Sequence, residues 1–218
     1  MGIAAKNIGK VVGDPPTRIL SDINLEIKDG EFVALTGRSG SGKSSLLYLL
    51  SSIDIPSEGV IELEGKNIKK IKKIDLHRFR NEKMGFIFQF HYLIAELTSL
   101  ENVLLPTRKF GYEKQKKSYA AHLLKQVGLE NKEYRLPRQL SGGEQQRVAV
   151  ARSLIMEPQY IFADEPTGSL DSINGDMVMN IIRDANEKRK TTVILVTHDP
   201  DFAQEAKRQV HLADGKIV

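Results

Sequence analysis

The sequence has 218 residues, 32 Lys and Arg against 28 Asp and Glu, a net charge of +4, and 40% hydrophobic residues. That is the make-up of one soluble globular domain with room for a subdomain. Its longest uninterrupted apolar run covers residues 46–50, far short of the roughly 20 that a membrane-spanning helix needs, and the lack of cysteine excludes disulfides, thiolate nucleophiles and Cys-ligated metals.

The opening residues, Met1 to Lys6, hold no apolar stretch of the kind an export signal needs, and Lys6 stands where a myristoylation signal wants Ser or Thr. A cytoplasmic chain is the expectation. Along the chain, Ile23, Leu25 and Ile27 alternate with Asn24 and Glu26 and read as a half-buried strand, turned at Asp29-Gly30. Phe32 to Thr36 reads as a buried parallel strand. Glycines then crowd the chain before an apolar helix from Leu46. Residues 60–63 and 84–88 read as strands separated by a polar basic segment. A net +4 is a weak footprint for nucleic acid, so no specific nucleic-acid partner is expected. The basic clusters read as solvated faces, with anionic lipid headgroups or a membrane partner as the alternative for residues 66–80.

Residues 90–156 turn helical: Ala120, Leu123, Leu124 and Val127 follow helical spacing, and Gly128 supplies a stop. A helix opens after Ser141 and cannot continue past Pro158. Residues 160–163 and 192–197 read as buried strands with a helix at 175–188 between them, and 209–218 as a hairpin turned at Asp214-Gly215. Strands alternating with helices predict a parallel α/β core. The expected division is a core plus β subdomain at about 1–89 and 157–218, with a helical subdomain inserted at about 90–156.

Gly37-Arg38-Ser39-Gly40-Ser41-Gly42-Lys43-Ser44 fits G-x-x-x-x-G-K-[ST] between a buried strand and a helix. Such a loop curls so that successive N–H groups and the helix N-terminus point at the phosphates of a nucleotide triphosphate. Lys43 adds positive charge and Ser44 a hydroxyl ligand for Mg²⁺. Hydrolysis also needs a held metal and an activated water. Asp164, ending the strand at 160–163, is a candidate for the first, and Glu165 can take the water's proton. His198, at the end of another predicted central strand, can hydrogen-bond the γ-phosphate or the water. Leu140-Ser141-Gly142-Gly143-Glu144-Gln145 is a second Gly-rich helix start, with Ser141 as N-cap and Glu144 completing a capping box.

The order and spacing of the phosphate loop, Gln89, Leu140 to Gln145, Asp164-Glu165, Ser169-Leu170-Asp171 and His198 resemble the ATP-binding-cassette ATPases over essentially the whole chain. The resemblance implies a P-loop NTPase core with a mostly parallel sheet, an N-terminal antiparallel β subdomain and an inserted helical signature subdomain. It further implies ATP and Mg²⁺ as cofactors, with nucleotide held by Gly37 to Ser44 and the following Ser45. The working form would be a head-to-tail homodimer in which Ser141, Gly142 and Gly143 of one copy close over ATP bound to the other. Gln89 would sense Mg²⁺ and the attacking water, and Asp171 would communicate across the dimer.

Phe88 to Ile94, Glu96-Leu97-Thr98, Glu101-Asn102-Val103 and Ala163 to Gly168 are similar to the subgroup of lipoprotein-releasing and macrolide-efflux ATPases. This implies an integral membrane permease as partner, with the apolar residues after Gln89 receiving its cytoplasmic helix, and a peripheral position on the cytoplasmic face of the inner membrane. Val12 departs from the family, which usually stacks an aromatic on adenine at that place; weak discrimination between ATP and GTP is therefore expected. A soluble ATPase of DNA repair or translation is the rival reading, but such proteins usually carry two cassettes or a long coiled coil. A binding module without turnover is disfavoured by the presence of both Glu165 and His198.

Overall fold

Alternating burial along residues 23–27 puts Ile23, Leu25 and Ile27 on one inward face, and this half-buried pattern is the first of the sequence's expectations to appear in space. The computed structural model describes residues 2–218. The chain runs β1 (Gly2–Val12), β2 (Thr17–Lys28), β3 (Phe32–Thr36), α1 (Lys43–Leu50), β4 (Glu58–Leu63), β5 (Lys66–Asn67), α2 (Lys73–Lys83) and β6 (Met84–Ile87). It continues through α3 (Ser99–Leu104), α4 (Glu113–Gln126), α5 (Gly142–Leu154), β7 (Tyr160–Asp164), α6 (Ser172–Arg189), β8 (Thr192–Val196), α7 (Pro200–Gln204), β9 (Arg208–Ala213) and β10 (Lys216–Ile217). Two compact units result, one from the segments up to Arg80 and from Lys190 onward, the other from Asn81 to Arg189.

The first unit carries an antiparallel sheet in the order β2-β1-β4-β5. It also carries a parallel trio in which β3 lies between β8 and β9, with β10 closing a hairpin on β9. β3 is buried from Phe32 through Leu35 and β8 along its whole length, which is the continuous apolar run expected of a strand covered on both faces. Leu46, Leu47, Leu49 and Leu50 of α1 are fully buried, and α1 packs on β8, β1 and β2. The Asp214-Gly215 turn, with φ of 46° and 75°, has the two left-handed residues that a tight hairpin demands.

In the second unit β6 and β7 pair in parallel, Met84 against Tyr160 and Ile87 against Ala163, and α5 packs on β6, α3 and α4. α4 ends as its sequence predicts. The Leu129 N–H donates to the Leu124 carbonyl and the Gly128 N–H to that of Lys125, with Leu124 and Leu129 both buried, the paired bonds of a Schellman stop. The polar segment before β6 contains α2, a helix with no buried side chain, and that is why no apolar period reveals it in the sequence.

Candidate functional site

In the first unit the site is built on the end of β3. Gly37 has φ 137°, and a Cβ there would stand 2.2 Å from the Leu212 carbonyl oxygen; at Gly42, φ 98°, it would stand 2.7 Å from Leu20. Only glycine lets the loop pass so close to β9 and β2 in these conformations. Gly42 is also the N-cap of α1, and no side chain caps that helix, so its first-turn N–H groups remain directed along the axis as anion donors. Arg38, Ser39 and Gly40 are exposed, Ser41 and Lys43 are buried, and Ser44 and Ser45 half-buried. Lys43 Nζ donates to the carbonyls of Gly37 and Arg38, both at 2.9 Å. That employs two of its three donors and brings the ammonium back over the loop. Leu35 pairs with Val196, so Gly37 and His198, each two residues beyond that pair, leave the sheet at the same end. His198 is exposed there.

In the second unit the end of β7 supplies Asp164, 2% exposed, and then Glu165, half-buried and at φ 48°. A non-glycine residue in the left-handed region is held at an energy cost of about 1 kcal/mol or more, which the surroundings must sustain. The pairing of Ile87 with Ala163 puts Gln89 and Glu165 at equivalent positions beyond their strands. Gln89 is exposed.

The signature opens α5. Ser141 Oγ accepts from the Glu144 N–H and the Glu144 carboxylate from the Ser141 N–H, the reciprocal capping box expected from the sequence. Ser141 and Gly142 are exposed and Gly143 half-buried. Lys132 bonds the other carboxylate oxygen of Glu144, and this bond, with the Ser141 N–H, holds the Glu144 carboxyl below its usual range. Asp171 caps α6. The backbone and side-chain N–H groups of Asn174 hold its carboxyl low, and the charge of Arg147 adds to the effect. The intervening Leu170 lies against Gly143, where an added Cβ would meet Leu170 Cδ2 at 3.1 Å. Asp171 and the signature therefore share one corner of this unit.

Three residues to which the sequence alone assigns no role of their own organise this unit. Gln146, fully buried, donates to the carbonyls of Phe88 at 3.3 Å and Pro166 at 3.1 Å. These flank Gln89 and Glu165 in sequence. Its Oε1 lies 2.6 Å from His91 Nδ1, so that ring nitrogen is the donor. Arg152 donates to the carbonyls of His91 and Tyr92, and burial lowers its pKa. Asn102 accepts from the Ile94 N–H and donates to the carbonyls of Ile94, Leu97 and Thr98. A polar side chain within the otherwise apolar face of a helix was the signal available for Gln146.

Ser44, Gln89 and Asp164 offer a hydroxyl, an amide and a carboxylate. Each, Ser44 in the first unit and the other two in the second, is a hard oxygen donor of the kind Mg²⁺ takes.

The ABC transporter family model matches residues 20–168. The lipoprotein-releasing system ATP-binding protein LolD of Leptospira interrogans serogroup Icterohaemorrhagiae serovar Lai is 53% identical over 218 residues, all of this chain and 91% of its own length. The protein of the same description from Aquifex aeolicus is 49% identical, over 99% of this chain and 96% of its own. Among solved structures, the dimeric bacterial ABC transporter cassette MJ0796 matches with a TM-score of 0.93 and 40% identity, over 99% of this chain and 96% of that one. A post-hydrolysis dimer of the same cassette, bound to ADP and Pi, matches at 0.91 and 38%, with the same coverage. With the phosphate loop and the capped signature helix on one chain that these relatives match from end to end, the protein belongs to the ABC transporter family as an ATP-binding, ATP-hydrolysing cassette.

Proposed function

We propose that this chain powers a membrane transporter of the lipoprotein-release or macrolide- and peptide-export type. It works as a homodimer when ATP is bound, beneath an integral permease on the cytoplasmic face of the inner membrane. The observation that carries the reading is end-to-end identity near one half with proteins described as lipoprotein-releasing ATP-binding subunits. Among the described residues no helix is long and apolar enough to cross a membrane.

The chemistry follows from the donors described. The α1 N-terminus and Lys43 bind the β- and γ-phosphates, and residues 37–45 wrap them. Mg²⁺, which Ser44, Asp164 and Gln89 would hold, offsets phosphate charge when bound. Glu165 accepts the proton of the attacking water, while Gln89 and His198 orient that water and the γ-phosphate. Ser141 in the second copy uses its hydroxyl oxygen to accept from the Glu144 N–H, which leaves the hydroxyl proton to donate to the γ-phosphate. Gly142 and Gly143 add backbone N–H groups at a helix start. A site finished only by a second copy makes loss of the γ-phosphate a signal to open, and Asp171 beside Gly143 carries that signal along the dimer.

Phe90, Tyr92 and Ile94, exposed by 68%, 64% and 42%, form the apolar surface that would receive the permease. Arg152 fixes the carbonyls of His91 and Tyr92 within this stretch. Replacing Glu165 with Gln tests the scheme: turnover falls below detection while ATP drives a dimer visible by gel filtration. Retained hydrolysis would remove Glu165 from the base role.

A further inference from the structure

The signature helix presents an acid where an anion is to be received. Glu144 lies in the first turn of α5 with its side chain 17% exposed, and a carboxylate there repels a triphosphate approaching the same N-terminus. Two cations face it. Arg147, one turn further on and nine-tenths buried, acts on both Glu144 and Asp171, and its Nε has no hydrogen-bond partner among the described residues. Lys132 is the other, bonded directly to the carboxylate. With Lys132, two acids balance two bases; without it the corner carries an uncompensated negative charge.

The position of Lys132 is fixed by backbone rather than chance. Beyond the α4 stop, Asn131 takes φ 70°, the Lys132 N–H donates to the Leu129 carbonyl and the Arg135 N–H to that of Lys132. The same segment is stitched to α3, because Leu100 and Ser99 donate their N–H groups to the carbonyls of Glu133 and Arg135. The turn therefore delivers an ammonium to the start of α5 from twelve residues away.

We propose that Lys132 is a positioning residue for the trans ATP site: it neutralises Glu144 and holds it on the Ser141 N–H. The Ser141 hydroxyl and the glycine N–H groups can then donate to the γ-phosphate of ATP bound to a second copy. The inference rests on the homodimer reading above and adds a residue to it.

The test uses the full chain with Glu165→Gln as parent and measures the ATP-dependent dimer by sedimentation, alongside the affinity of the monomer for a fluorescent ATP analogue as a check on the fold and the phosphate loop. Lys132→Ala weakens the dimer on the order of tenfold, the size of one partly screened unit charge, with monomer affinity unchanged. Lys132→Arg keeps the dimer, and adding Glu144→Gln to Lys132→Ala restores it to within about twofold, because the amide still caps Ser141 without the charge. A Lys132→Ala protein that dimerises like its parent, or a double variant as weak as Lys132→Ala alone, overturns the proposal. A parent that stays monomeric with ATP overturns the homodimer reading itself, and the role of Lys132 with it.

Discussion

Lys43 illustrates how much one side chain carries. Its ammonium ties the carbonyls of Gly37 and Arg38 together and retains a donor and a full charge for phosphate. Lys43→Ala removes both, and a lost charge-assisted contact corresponds to roughly a 10- to 100-fold weaker ATP affinity. Titration with a fluorescent ATP analogue measures this; unchanged affinity would discredit the loop as the cradle. Val12 makes the complementary point. It ends β1, 38% exposed, and offers no ring to stack on a base, so the Michaelis constants for ATP and GTP should lie within about tenfold, given that stacking is worth on the order of 1 kcal/mol. A larger gap in steady-state assays would locate base selectivity elsewhere.

At the scale of elements, what was legible in the sequence was local. The glycine pattern before α1, the Ser141–Glu144 box and the Gly128 stop each need only residues within a turn or two of one another, and each appears where expected. The partners that finish the site come from far along the chain. Nothing near Glu144 announces Lys132, and nothing near Gln89 announces that Gln146, more than fifty residues on, will hold the carbonyl before it. α2 escaped for a different reason, since a helix with no buried face leaves no period to read. Asn102 shows the energetic weight of such distant clamps: buried on α3, it makes four hydrogen bonds to the backbone of residues 94–98. Asn102→Leu leaves those groups without it and should cost about 2–3 kcal/mol. In a chain of this size that corresponds to an apparent melting temperature lower by roughly 5–10 °C in calorimetry; an unchanged transition would mean that residues 94–98 find other partners without it.

At the scale of the whole molecule, the chain divides its chemistry between two compact units. One holds the phosphate loop and His198, the other Gln89, Asp164, Glu165, the signature and Asp171. A net charge of +4 adds little long-range attraction for so highly charged a nucleotide, so affinity has to come from donors aimed at close range. The central claim is that these donors belong to two copies at once, which a structure of the Glu165→Gln protein with Mg²⁺ and ATP tests most directly. The account predicts each triphosphate gripped by residues 37–45 of one copy and covered by residues 141–143 of the other. Two copies joined through other surfaces, or nucleotide bound with residues 141–143 facing solvent, would contradict it.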